Sequence, residues 1–248
     1  MTDPHQPITA AGDRSAAAHT IGNAFTGDLV LPLDVLNAAR TIGTERGTGN
    51  LAPRPVCVGR DEDLTWLRRV LTTDGSSAVT QAPAVHGLGG IGKTTLALHY
   101  AHRHRGDYAL VWWVNAESPA RIEQSLAALA QLLYPSWADG ASEQARAAWA
   151  THWLHCHRNW LLVFDNAEDP AHLQPYTGAL ASGHHLITTR RATGWPRTTP
   201  TRALGTLAPG EAAQLLCTYV VEGTAPTSRD LQDARLLAAD LGHLPLAL

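Results

Sequence analysis

The sequence predicts an α/β fold, a parallel sheet flanked by helices and followed by the start of a small helical domain. Three observations carry this expectation. From Val56 onward, short apolar runs alternate with amphipathic stretches, the texture of strands separated by helices and therefore of a parallel sheet. The runs at 109–114 (Ala-Leu-Val-Trp-Trp-Val) and 160–164 (Trp-Leu-Leu-Val-Phe) are apolar without alternation, as strands covered on both faces have to be. After residue 207 the spacing of apolar residues is helical only. With 248 residues, 44% of them hydrophobic, the chain can bury a sizeable core in one such domain with an appendage.

In chain order, residues 1–55 are expected to be a low-complexity and linker segment, mostly disordered, with a β-prone stretch at 21–33 and a Gly/Pro linker at 43–55. The α/β domain is placed at 56–206. Residues 61–71 carry Leu64, Leu67, Val70 and Leu71 at helical spacing behind acidic residues that suit a helix N-terminus. A strand follows at 78–86, where Pro83 points to an edge or irregular position. A helix is expected at 93–105, then the 109–114 strand, in which Trp112 and Trp113 face opposite sides of the sheet. Helices at 119–133 and 142–156, and strands at 160–164 and 184–189, complete the domain. The incomplete helical domain is placed at 207–248, with Pro209 where a helix can start and helices at 211–221 and 230–241.

A net charge of −3 gives no overall pull toward nucleic acid or an anionic membrane, and residues 1–55 lack a basic recognition helix. Nucleic acid and membrane are therefore not the expected partners. Three cysteines at wide spacing (Cys57, Cys156, Cys217) argue for a reducing compartment, and no apolar run is long enough for a signal peptide or a span, so a cytoplasmic location is expected. His152, His155 and Cys156 share a helix but lack the further ligands of a closed zinc shell.

The nineteen Lys+Arg include a single lysine, Lys93. It falls in Gly87-Leu88-Gly89-Gly90-Ile91-Gly92-Lys93-Thr94, which matches G-x-x-x-x-G-K-[ST] at every fixed position, between a predicted strand and a predicted helix. Such a loop converges backbone N–H groups on a phosphate, with the helix N-terminus adding positive potential. Lys93 then reaches the β/γ phosphates, and the Thr94 hydroxyl is a ligand for Mg²⁺. A compact, flexible ammonium suits that narrow cradle better than a guanidinium, which accounts for a lysine kept here alone. The strand 160–164 ends in Asp165, the expected Mg²⁺ carboxylate. Its neighbour Asn166 is neutral and cannot accept a proton, so fast hydrolysis is not expected unless Glu117, Glu168 or Asp169 substitutes. Arg190 follows the strand 184–189 on the edge where ligands bind in doubly wound folds, suiting a γ-phosphate contact.

Together these residues resemble the nucleotide-binding module of the signal-transduction ATPases with numerous domains (STAND), specifically the NB-ARC type, over residues 56–248. Val58-Gly59-Arg60-Asp61 is similar to the family's first motif near the adenine. Gly87 to Thr95 resembles its phosphate loop, and 161–165 its Walker B strand. Ile187-Thr188-Thr189-Arg190 resembles the sensor whose arginine contacts the γ-phosphate. Leu241-Gly242-His243-Leu244-Pro245-Leu246-Ala247-Leu248 is similar to the motif whose proline touches the base, so Pro245 is the matching residue. The resemblance implies a P-loop NTPase fold and an ATP/ADP-binding switch. Gly87, Gly89, Gly90, Ile91, Gly92, Lys93, Thr94 and Thr95 would cradle the phosphates and Mg²⁺, Val58, Arg60 and Pro245 would hold the nucleoside, and Lys93, Asp165 and Arg190 would serve slow hydrolysis. It also implies that winged-helix and repeat segments follow residue 248, that the chain is a fragment, and that protein partners or self-association engage those repeats. A transcriptional regulator built on the same module, and a P-loop kinase, are the competing readings.

Overall fold

The computed structural model describes residues 31–72, 82–220 and 225–248. In chain order these form α1 (Leu33–Thr41), β1 (Thr48–Gly49), α2 (Asp61–Thr72), β2 (Ala84–His86), α3 (Lys93–His104) and β3 (Leu110–Asn115). There follow α4 (Pro119–Leu133), α5 (Pro135–Ala138), α6 (Glu143–Cys156), β4 (Trp160–Ala167) and α7 (Gln174–Thr177). The last are β5 (His184–Thr189), β6 (Thr201–Ala203), α8 (Pro209–Val220) and α9 (Ser228–Asp240).

The strands make one sheet in the order β1-β3-β4-β5-β2-β6, with every neighbouring pair parallel. Parallel strands present their C-terminal ends on one edge, and β5 lies between β2 and β4. The loop after β2, the end of β4 and the end of β5 therefore open side by side. One face of the sheet is covered by α2 and α3. Leu64, Leu67, Leu71, Leu96 and Tyr100 from these helices pack on Val85, Val111, Leu161, Val163 and Leu186. Burial of each such side chain contributes about 1.5–3 kcal/mol before the entropy of ordering it is subtracted.

Several elements differ from the sequence expectation. Strand β2 is an interior strand, so Pro83 marks neither an edge nor an irregularity. It stands just before the first strand residue, where its missing N–H interrupts no ladder, and its carbonyl accepts from Ile187 N at 3.0 Å. The sheet also begins before residue 56: Thr48 and Gly49 pair with Leu110 and Val111. Asn50 extends that pairing by donating from Nδ2 to Trp113 O at 3.0 Å and accepting from Trp113 N at 2.6 Å. A strand of two residues has no periodicity to betray it. Of the β-prone stretch 21–33, residues 21–30 lie outside the described residues and Leu33 opens a helix.

Cα packing divides the chain into two units. The first joins the described residues up to Gly43 to Glu123–Cys156, and the second comprises Thr44–Ile122 with His157–Leu248. In the first unit, α1 occupies part of the segment read as linker. Val35 and Ala39, one helical turn apart, are buried, and the Trp149 and Trp153 indoles donate to Val35 O at 2.9 Å and to Ile42 O at 2.7 Å. The second unit contains the whole sheet and residues 207–248, where α8 and α9 share a cluster of their own formed by Leu207, Ala212, Leu215, Leu216 and Ala238.

Candidate functional site

The loop between β2 and α3 is shaped by glycine. Gly90 (φ 75°) and Gly92 (φ 94°) are left-handed, a region that side chains disfavour. A Cβ on Gly90 would also lie 2.7 Å from that of Leu246. Gly92 is the residue before α3, where no side chain caps the helix and the first turn holds no acid. The helix N-terminus therefore presents N–H donors and positive potential to the loop. Lys93, 9% exposed, folds its ammonium onto the loop and donates to Gly87 O at 2.9 Å and Leu88 O at 2.7 Å. Burial lowers its pKa, as does the nearby Arg190 guanidinium, while Asp165 opposes the shift. Lys93 and Arg190 both line one recess whose walls include no carboxylate among the described residues, an environment that an anion would relieve.

At the end of β4 the pairing with β5 slips. Phe164 pairs with Ile187 and Ala167 with Thr189, so Asp165 and Asn166 together oppose Thr188. This is a bulge, and within it Asn166 adopts a left-handed conformation (φ 60°) that asparagine tolerates. Thr188 ties both residues down: its hydroxyl accepts from Asn166 N at 2.9 Å and donates to Asp165 Oδ1. Thr94 donates to the same carboxylate oxygen at 2.9 Å, and Thr189 Oγ1 donates to Ala167 O at 2.7 Å.

A cavity of about 280 Å³ lies over the loop, walled by Gly89, Gly90, Gly92, Lys93, Thr94, Thr95, Asn166, Thr188, Arg190, Pro245 and Leu246. A second, of about 90 Å³, shares Gly92, Thr95 and Pro245 with it and continues to Val58, Arg60, Ile91, Leu207, Leu215 and Tyr219. The first recess is polar and cationic, and its neighbour is lined largely by apolar side chains together with Arg60 and Thr95. Pro245 reaches both because the segment around it is pinned to the loop. Leu246 N donates to Gly90 O at 3.1 Å, and Leu207 N to His243 O at 3.1 Å, in a turn made by left-handed Gly242 and His243.

The structure gathers Lys93, Thr94, Asp165, Arg190 and Pro245 at this edge, with Val58 in the smaller recess. Arg60 also borders that recess, but its guanidinium is engaged elsewhere. It donates to Ile91 O at 3.1 Å and Gly205 O at 2.9 Å, and pairs with Asp63 at 3.6 Å, so it braces the loop. Asp63 in turn accepts from Arg202 at 2.8 Å. Gly87 and Asp165 stand outside the cavity walls and join the site through Lys93 and Thr94. Of the candidate bases, Asp169 caps the turn after β4 by accepting from Ala171 N at 2.9 Å, while Glu117 and Glu168 are exposed. The sequence reading does not single out Thr188, Asp63 or Tyr219. The first is identifiable only once β5 is known to lie beside β4, and the other two depend on contacts distant in sequence.

The NB-ARC domain model matches residues 65–225. Among curated proteins, the regulatory protein AfsR of Streptomyces coelicolor is 32% identical over 227 residues, covering 85% of this chain and 22% of AfsR. The disease resistance protein SUMM2 of Arabidopsis thaliana is 28% identical over 208 residues, covering 79% of this chain and 23% of SUMM2. The chain spans about a fifth of the length of the curated relatives it matches. Among solved structures, Cdc6p of Pyrobaculum aerophilum aligns with TM-score 0.55 and 16% identity, over 88% of this chain and 61% of that one, a likeness of fold. A glycine loop that opens α3, an aspartate-tipped β4, and a family match over well over half of the chain agree: the chain belongs to the NB-ARC family of nucleotide-binding modules.

Proposed function

We propose that the chain is the nucleotide-holding part of a regulatory switch that distinguishes ADP from ATP and hydrolyses ATP slowly. The observation that carries this reading is the convergence of Lys93 and Arg190 on one cavity whose wall continues through Pro245 into a recess lined largely by apolar side chains. Phosphates fit the cationic side and a base the apolar side, with Val58 and Pro245 against it. Lys93 exchanges its bonds to Gly87 O and Leu88 O for phosphate oxygens. Arg190, on the same cavity, is the residue that an additional γ-phosphate would engage.

The residues present fit Mg²⁺. A threonine hydroxyl and a carboxylate oxygen lie together at the loop, and Mg²⁺ is held by one or two carboxylates with phosphates and water. When bound, the ion would neutralise phosphate charge. Thr94 and Asp165 would hold it, and Asn166 would border the phosphates without removing a proton from water. The Thr94 and Asp165 assignments, slow turnover and a cytoplasmic setting belong to this proposal. So do a signalling role and association with protein partners, to which the likeness to AfsR and SUMM2 lends support. Calorimetry with ADP and ATP tests it: Arg190→Ala should weaken ATP about tenfold and leave ADP nearly unchanged. Equal losses for both nucleotides, or no binding by the unaltered chain, would reject the switch.

A further inference from the structure

Thr188 is 1% exposed, lines the phosphate-side cavity and lies on the strand between the loop strand and the Asp165 strand. A hydroxyl has one hydrogen to give. Its oxygen here accepts the Asn166 N–H, which leaves the hydrogen for Asp165 Oδ1. Thr94 donates to that same oxygen. The bulge makes this possible, because the extra residue in β4 sets Asp165 and Asn166 against one residue of β5. From this we infer that Thr188 is the positioning residue for the Asp165 carboxylate. It fixes which carboxylate oxygen is held by protein hydroxyls, and so sets how strongly Mg²⁺ contributes to nucleotide affinity. Arg190 stands two residues further along the same backbone, on the same cavity.

The inference rests on the nucleotide reading proposed above and adds a residue outside the phosphate loop that acts on the metal-binding carboxylate. Partners that orient a metal-binding carboxylate typically change metal affinity 10–100-fold when removed. The experiment measures ADP affinity by calorimetry in excess Mg²⁺ and in EDTA for the unaltered chain and for Thr188→Val, which keeps the β-branched shape and removes the hydroxyl. The Mg²⁺-dependent gain in affinity should fall about tenfold in Thr188→Val, affinity in EDTA should stay within about twofold, and Thr188→Ser should restore the gain. Should the valine variant fail to fold, Thr188→Ala carries the same expectation. Combining either with Asp165→Asn should add no further loss, since the hydroxyl acts through that carboxylate. An unchanged Mg²⁺ gain in a folded hydroxyl-less variant, or equal losses with and without Mg²⁺, overturns the inference while leaving nucleotide binding intact. An unaltered chain that binds no nucleotide in either condition overturns both.

Discussion

The backbone N–H of Leu246 donates to the carbonyl of Gly90 at 3.1 Å, which joins the last residues of the chain to the tip of the phosphate loop. Leu246 also occupies the space that a side chain on Gly90 would need, and Gly90 is left-handed. Gly90→Ala should therefore lose stability twice, by about 1–2 kcal/mol for the backbone and further by displacing Leu246. Thermal melting is the check. A variant as stable as the parent would mean that the contact is not maintained in solution.

Asp63 sits between two cations, Arg60 at 3.6 Å and Arg202 at 2.8 Å, and its side chain is 12% exposed. Removing it leaves a buried guanidinium without its counter-charge beneath the loop. Asp63→Ala should cost about 3 kcal/mol in urea unfolding, and nucleotide affinity should fall with it because Arg60 holds Ile91 O. A loss under about 1 kcal/mol would show that the two carbonyl bonds suffice for Arg60.

His185 is fully buried against the Trp160 and Phe164 rings, its nitrogens have no hydrogen-bond partner, and burial lowers its pKa from the ordinary 6.5 to about 3. The unfolded chain takes up a proton that the folded chain refuses. Stability is therefore full above about pH 6.5 and falls as pH drops toward 3, by up to about 1.4 kcal/mol per pH unit from this residue. His185→Phe should remove one proton's worth of that slope, read from unfolding midpoints between pH 7 and pH 4. An identical slope in the variant would assign the dependence to other groups.

Asn166 tests the bulge and the chemistry separately. Asn166→Val should destabilise by about 1–2 kcal/mol, because a β-branched residue resists the left-handed conformation, whereas Asn166→Gly should fold normally. Asn166→Asp should raise ATP turnover at least tenfold if a missing proton acceptor limits the rate. Steady-state phosphate release decides this, and an unchanged rate would assign the limit to another step.

Much of this was legible in the sequence, for identifiable reasons. Lys93, Thr94 and the loop glycines announce themselves because a phosphate cradle demands fixed residue types at fixed spacing. Strands β3 and β4 do so because burial on both faces leaves an unbroken apolar run at 110–114 and 160–164. Helix α1 and strand β1 were hidden because Val35, Ala39, Thr48 and Gly49 make sense only against Trp149 and Leu110, far away in sequence. Strand order was equally invisible, and with it the meeting of Thr188 with Asp165. The engagement of Arg60 with Ile91, Gly205 and Asp63 was not legible either, because these partners meet only in the fold.

The lone lysine provides the most direct measurement. An amine-reactive reagent has two targets in the chain, Lys93 and the α-amino group of Met1. Peptide mapping by mass spectrometry after labelling with and without Mg-nucleotide reads each separately. Nucleotide should suppress modification at Lys93 at least tenfold and leave Met1 unaffected, because the ammonium is then held by phosphate. Modification of Lys93 at the same rate in both conditions would contradict the assignment of the loop, and with it the nucleotide switch proposed for this chain.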